Sequence, residues 1–191
     1  LKYFSIDIET TGLNPEKDQI LQVGIAFEDT ENIVPIIEIP CDEWVIRYNR
    51  IEGDPFAIQM NADIIKHSIE NPLPDDVIDR CNIIPCLLSF IRKCDPSIPS
   101  NHIPTINVAG KNFNGFDRLF LEKIEGFSNH IRIRHRVLDP AMLCVDWTEH
   151  RLPDLQDCLD KSNLLSMVKH TAMQDAIDVI NIIRVRTGMY A

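Results

Sequence analysis

The chain has 191 residues, 45% hydrophobic and 25% charged, with 19 Lys and Arg against 29 Asp and Glu, a formal net charge of −10. That length suits one well-buried domain, residues 1–191, and the composition excludes wholesale disorder. The acid excess argues against a protein that grips long nucleic acid through a basic face, and no apolar run reaches the length of a membrane span.

The stretch Tyr3–Pro15 (Y-F-S-I-D-I-E-T-T-G-L-N-P) alternates from Phe4 to Glu9, with Phe4, Ile6 and Ile8 on one parity and Ser5, Asp7 and Glu9 on the other. Period two predicts a strand whose apolar face enters a core. Asp7 and Glu9 then share a face, with Cα atoms about 6.6 Å apart at the usual strand rise. Carboxylates this close repel, which invites a bound cation or one raised pKa. Thr10, Thr11 and Gly12 end the strand in a turn, where Gly permits close approach of a backbone or ligand. Taken alone, a D-x-E strand is most simply a solvated face.

Residues 20–27 predict a second strand and 33–39 a third, joined by the short polar link 28–32. Residues 40–60 read as irregular, and 60–69 as a short helix ending before Asn71-Pro72. From Asp75 to Cys94, Val77, Cys81, Ile84, Leu88 and Ile91 recur at steps of four and three, predicting an amphipathic helix kinked or split at Pro85. A strand over 105–109 leads through a loop to a helix ending at Ile124, with Asn114 as N-cap and Asp117 at its third helical position. Residues 131–138 alternate with Arg132, Arg134 and Arg136 on one parity, and two short helices follow, over 139–145 and 153–159. The last helix runs over 171–186 with Ala172, Ala176, Val179, Ile180 and Ile183 as its packed stripe. The order predicts an α/β fold with a mixed sheet, compatible with a ribonuclease-H-like core.

Six cysteines include no C-x-x-C, and His67, His102 and His150 lack ligand spacing to any of them. Neither a disulfide framework nor a zinc site is expected, and a reducing, cytoplasmic compartment is.

Near the C-terminus, H-T-A-M-Q-D places His170 five residues before Asp175, about 500° of helical rotation. The two cannot share a helix face, so His170 belongs on a loop ahead of the first turn. Asp7, Glu9, Asp117 and Asp175 are thus four carboxylates on or beside packed faces of three elements. Burying that much charge is costly without compensation, and divalent cations with a preference for oxygen would supply it.

The chain here resembles the DEDDh (DnaQ-like) 3′–5′ exonucleases over nearly its whole length. F-S-I-D-I-E-T-T-G-L is similar to the first motif of that family, N-F-N-G-F-D-R-L-F-L to the second and H-T-A-M-Q-D-A to the third. The resemblance implies a mixed five-stranded sheet flanked by helices. It implies two Mg²⁺ or Mn²⁺ ions held by Asp7, Glu9, Asp117 and Asp175, with His170 as general base. Thr10, Thr11, Gly12 and Leu13 would line the 3′-terminal nucleotide of a single strand, with Asn114 as a further substrate contact. An endonuclease on the same core is one competing reading. Another is a non-cleaving module that docks a polymerase or ribonucleoprotein. A homodimer is a further candidate assembly.

Overall fold

The computed structural model describes residues 1–164 and 171–189; His170 and Lys169 lie outside the described residues. Strand β1 (Lys2–Thr10) is central. It pairs antiparallel with β2 (Ile20–Asp29), setting Asp7 opposite Gly24 and Glu9 opposite Gln22. β3 (Cys41–Arg47) lies antiparallel on the far side of β2, with Glu43 opposite Gly24. Two short strands complete the sheet, both parallel to their neighbours: β4 (Val77–Asp79) beside β3 and β6 (Val108–Ala109) beside β1. The spatial order is β4-β3-β2-β1-β6, the mixed five-stranded sheet expected. Two further short strands, β5 (Thr105–Ile106) and β7 (Arg132–Ile133), pair parallel apart from it.

The alternation in β1 sorts the layers. Phe4, Ile6 and Ile8 enter a core with residues of α3 (Ile83–Cys94), α4 (Asp117–Glu122) and α5 (Phe127–His130). Tyr3, on the other parity, packs with Ala176, Val179, Ile180 and Ile183 of α7 (Ala172–Thr187), the stripe read from the sequence. Asp7 and Glu9 share the parity of Tyr3 and therefore emerge on the α7 side. Glu28 of β2 and Arg184 of α7 form a buried ion pair at 2.5 Å, and Arg184 also donates to the Val34 carbonyl at 2.7 Å. This pair anchors the far end of α7 to the sheet.

Several elements differ from expectation. The third strand is not residues 33–39 but Cys41–Arg47, because Pro35 and Pro40 fix backbone angles and lack N–H donors. Residues 36–38 form a 3-10 turn instead, with Ile37 90% exposed. The expected helix 75–94 begins as β4, and only Ile83–Cys94 is α-helical. Pro85 thereby falls in the first turn, where a missing N–H leaves no intrahelical bond unmade, so no kink is required. Residues 55–67 form two short helices, α1 (Pro55–Met60) and α2 (Ala62–His67), with Asp54 capping the first by accepting from the Phe56 and Ala57 N–H groups. The strand 105–109 divides between β5 and β6, and 131–138 keeps only Arg132–Ile133, so the three arginines do not form one strand face. Residues 140–143 form a 3-10 turn, and α6 (Leu155–Lys161) starts at a capping box of Asp154 and Asp157. Asn114 is not the cap of α4: it lies in a 3-10 turn over Phe113–Gly115, and α4 begins directly at Asp117.

Among the described residues, no helix is long and apolar enough to cross a membrane.

Candidate active site

Three elements bring the predicted carboxylates together. One oxygen each from Asp7, Glu9 and Asp175 lie within 4.8 Å of one another. Asp175 sits in the first turn of α7 and is 6% exposed. Its Oδ1 is buried and has no hydrogen-bond partner among the described residues. Asp117, 3% exposed, arrives from the start of α4 and accepts the N–H of Ile8 at 3.0 Å, which ties it to β1 between Asp7 and Glu9. It stands outside the 4.8 Å group, yet its charge acts on Asp7 more strongly than those of Asp175 and Glu9.

The electrostatics follow from crowding acids in a partly dry site. Burial, then the charges of Asp117, Asp175 and Glu9, hold Asp7 well above the carboxylate range. Burial pushes Glu9 up to about 8, with Asp175 adding to the effect and the Asn61 amide opposing it. Asp117 rises to about 7 through burial, against the stabilising N–H groups of Ile8 and of Asp117 itself. Asp175 rises to about 7 through burial and the neighbouring Asp178. An all-oxygen donor set, an orphaned carboxylate oxygen and acids that resist ionisation together fit a divalent cation that prefers oxygen ligands.

A pH dependence follows. Raised acids bind protons more tightly folded than unfolded, so their contribution is complete below about pH 4 and is lost as pH rises through about 7 to 8. In chelator, the melting temperature should therefore fall between pH 5 and pH 8.5, by about 2–4 °C for each kcal/mol in a chain of this size. His67, whose pKa is raised by its hydrogen bond to Asp76, loses stability in the same direction. Addition of Mg²⁺ or Mn²⁺ separates the two, since it should flatten the carboxylate part alone. A melting temperature that is flat or rising with pH in chelator would contradict the electrostatic account.

The position of Asp175 depends on a bare patch of β2. A Cβ at Gly24 would lie 2.1 Å from the Ala172 carbonyl carbon and 2.2 Å from the Met173 nitrogen. Only glycine lets the start of α7 cross the sheet there, directly beside Asp7 in the register.

Beside the carboxylates lies a cavity of about 530 Å³, lined in part by Glu9, Thr10, Gly12, Leu13, Phe56, Met60 and Phe116. Leu13 is 84% exposed, Phe56 71% and Met60 50%, so the lining offers apolar surface to solvent. Thr10 and Thr11 are buried and brace the turn: Thr10 Oγ1 donates to the Gly12 carbonyl at 2.7 Å and Thr11 Oγ1 to the Glu52 carbonyl at 2.7 Å. Thr11 and Asn114 are not among the lining residues. The Asn114 side chain donates to the His135 carbonyl at 3.4 Å and accepts from Arg118 at 3.2 Å.

Sequence reasoning missed Phe56, Met60, Asn61 and Phe116. The signal was present for the first two, since Asp54-Pro55 is a helix start and Phe56 and Met60 are four apart, on one helix face. Asn61 is buried and donates to the Thr10 carbonyl at 3.0 Å, linking α2 to the end of β1. Nothing local marks it.

Models of protein families give no match to the sequence, and a search of curated proteins finds none. Solved structures do match in fold. A structure of exonuclease I superposes with a TM-score of 0.69 at 14% identity, covering 98% of this chain and 41% of that one. The zinc-bound complex of Escherichia coli exonuclease I with single-stranded DNA gives 0.68 at 14% identity, covering 98% and 40%. Exonuclease I from Methylocaldum szegediense gives 0.64 at 15% identity, covering 96% and 40%. The chain spans about 40% of the length of these neighbours, and at such identities the likeness is one of fold: an α/β, ribonuclease-H-like mixed sheet flanked by helices.

Proposed function

We propose that the chain is a metal-dependent 3′–5′ exonuclease domain of the DEDDh type, releasing nucleoside 5′-monophosphates from single-stranded nucleic acid. The observation that carries this reading is the convergence of Asp7, Glu9 and Asp175, with an orphaned Asp175 oxygen, beside a mainly apolar cavity of about 530 Å³. That volume is in the range of small-molecule and nucleotide sites. The fold likeness to exonuclease I, one structure of which holds a dT13 oligonucleotide, supports the substrate class.

Asp7, Glu9, Asp117 and Asp175 would hold two Mg²⁺ or Mn²⁺ ions, which supply activation of the attacking water and stabilisation of the leaving 3′-oxygen. His170, five residues before Asp175, would take the proton of that water, its unperturbed pKa near 6.5 being suited to neutral pH. Leu13, Phe56, Met60 and Phe116 would receive the terminal base and sugar and exclude water from them. The T-T-G-L turn, braced by the two Thr hydroxyls, holds Leu13 at the mouth.

Two basic residues on the side of α4 are held by ion pairs. Arg118 pairs with Glu122 at 2.8 Å and Lys123 with Glu16. With a net charge of −10 as well, short oligonucleotides are the expected substrates, or long ones delivered by a partner.

Oligomers labelled at the 3′ end test the reading, with matched DNA and RNA sequences. Release of labelled mononucleotide with Mg²⁺ or Mn²⁺ is expected; internal fragments would mean an endonuclease, and binding without release a docking module. Leu13→Ala should raise KM several-fold while leaving the melting temperature within about 2 °C, since a side chain this exposed buries little on folding. A large drop in melting temperature would remove Leu13 from the substrate surface.

A further inference from the structure

α7 begins without a cap of its own. Thr171 occupies the N-cap position but makes no side-chain hydrogen bond to the first turn, and Ala172, the next residue, carries no polar group. A helix start leaves its first N–H groups without intrahelical partners, and buried ones must be satisfied elsewhere. Here the sheet supplies the acceptors. The Ala172 N–H donates to Gln22 Oε1 at 3.0 Å, and the nearby Met173 N–H stabilises the charge of the Glu43 carboxylate. The two acceptors are joined, with Gln22 Nε2 donating to Glu43 Oε2 at 3.1 Å. Gln22 is 5% exposed, so water does not substitute for these bonds freely.

The register makes this arrangement part of the carboxylate site. Gln22 lies directly opposite Glu9, and Glu43 opposite Gly24, which itself faces Asp7. Directly opposed residues share a sheet face, so the two acceptors, the bare Gly24 and the two β1 carboxylates occupy one patch. α7 lands on that patch, and Asp175 follows less than one turn later. We propose that Gln22 and Glu43 are positioning residues: together they form a remote cap that fixes the first turn of α7 and so sets Asp175 against Asp7 and Glu9. Neither touches the substrate or reacting atoms. The proposal rests on the reading of Asp175 as a metal ligand.

The pair can be tested by exchanging its chemistry. In Gln22→Glu, two carboxylates face each other and the joining hydrogen bond is lost. In Glu43→Gln, the joining hydrogen bond loses its charged acceptor and the Met173 N–H loses the negative charge beside it. The double variant Gln22→Glu/Glu43→Gln restores both hydrogen bonds, with donor and acceptor exchanged between positions 22 and 43. Its carboxylate at position 22 accepts from the Ala172 N–H and from the amide at position 43. Mn²⁺ affinity is read by calorimetry, with kcat and KM on a short oligonucleotide, each variant held well below its own melting temperature. Both single variants should bind Mn²⁺ about 10–100-fold more weakly, the usual cost of losing a group that orients a ligand. They should lose kcat with KM nearly unchanged, because the Leu13–Phe56 cavity is untouched. The double variant should recover both. Wild-type Mn²⁺ affinity in the single variants, even with a lowered melting temperature, makes the pair a stability device and overturns the proposal. If a single variant fails to fold, a folded double variant that still binds weakly overturns it equally. A wild-type protein that binds no Mn²⁺ overturns the metal reading of Asp175, and the positioning role falls with it.

Discussion

Asp7→Asn should abolish metal-dependent cleavage and leave the metal-free protein as stable as the wild type, or more so. Both effects have one cause. Asp7 is pressed by burial and by three neighbouring acids, so its negative charge is unfavourable in the folded protein until a cation offsets it. The amide keeps the shape and removes the charge, relieving the metal-free fold while weakening the cation site. A loss of about 4 kcal/mol of transition-state stabilisation, a typical scale for a metal ligand, corresponds to roughly 10³-fold in rate. Single-turnover rates and melting curves in chelator read the two halves separately. Activity near wild type with Mg²⁺ or Mn²⁺ would contradict the assignment of Asp7, and a much lower melting temperature in chelator would mean that the carboxylate has a structural partner.

Gly24→Ala should be nearly as damaging, although the residue bears no functional group. The new Cβ would sit 2.1–2.4 Å from the backbone of Ala172 and Met173, and backbone cannot turn aside as a side chain can. The start of α7 must then lift by about an ångström or more, at a cost of roughly 1–3 kcal/mol of overpacking. Asp175 moves with it. A displacement near 1 Å at a reacting centre can cost about 10²-fold in rate. The expected result is a folded protein, judged by circular dichroism, with weak Mn²⁺ binding and turnover reduced by that order. Turnover within about twofold of wild type would mean that α7 can shift without disturbing the carboxylates.

These two residues also mark what the sequence could and could not disclose. Asp7 and Glu9 were legible because strand alternation is local and the apolar parity declares which face is buried. α7 was legible for the same reason, its stripe of Ala172, Ala176, Val179, Ile180 and Ile183 having a clear helical period. Gly24 gave no local sign of its role, since what it makes room for lies at the start of the last helix of the chain. The third strand was misplaced because its first half is exposed, Cys41 and Asp42 facing solvent, while the neighbouring stretch 33–39 is richer in isoleucine. Hydrophobicity favoured the wrong segment, and the prolines that exclude it from a ladder decided the outcome. The helix 75–94 was overextended because Val77 falls in step with the period of α3 although it belongs to a strand. The cavity wall at Phe56 and Met60 was overlooked because exposed apolar residues on a six-residue helix carry too short a pattern to stand out. His170, on which the proposed proton transfer depends, lies outside the described residues, and its part rests on the resemblance and on its spacing from Asp175.

Four carboxylates from three elements form the proposed cation site. Crystals grown in chelator and then soaked in Mn²⁺ test it most directly, through anomalous scattering at the manganese edge. The account predicts two peaks, each bound by oxygens drawn from Asp7, Glu9, Asp117 and Asp175, one of them against the orphaned Oδ1 of Asp175. The Asp7→Asn protein should lose at least one. Manganese elsewhere on the acidic surface, with no peak among these four residues, would contradict the account.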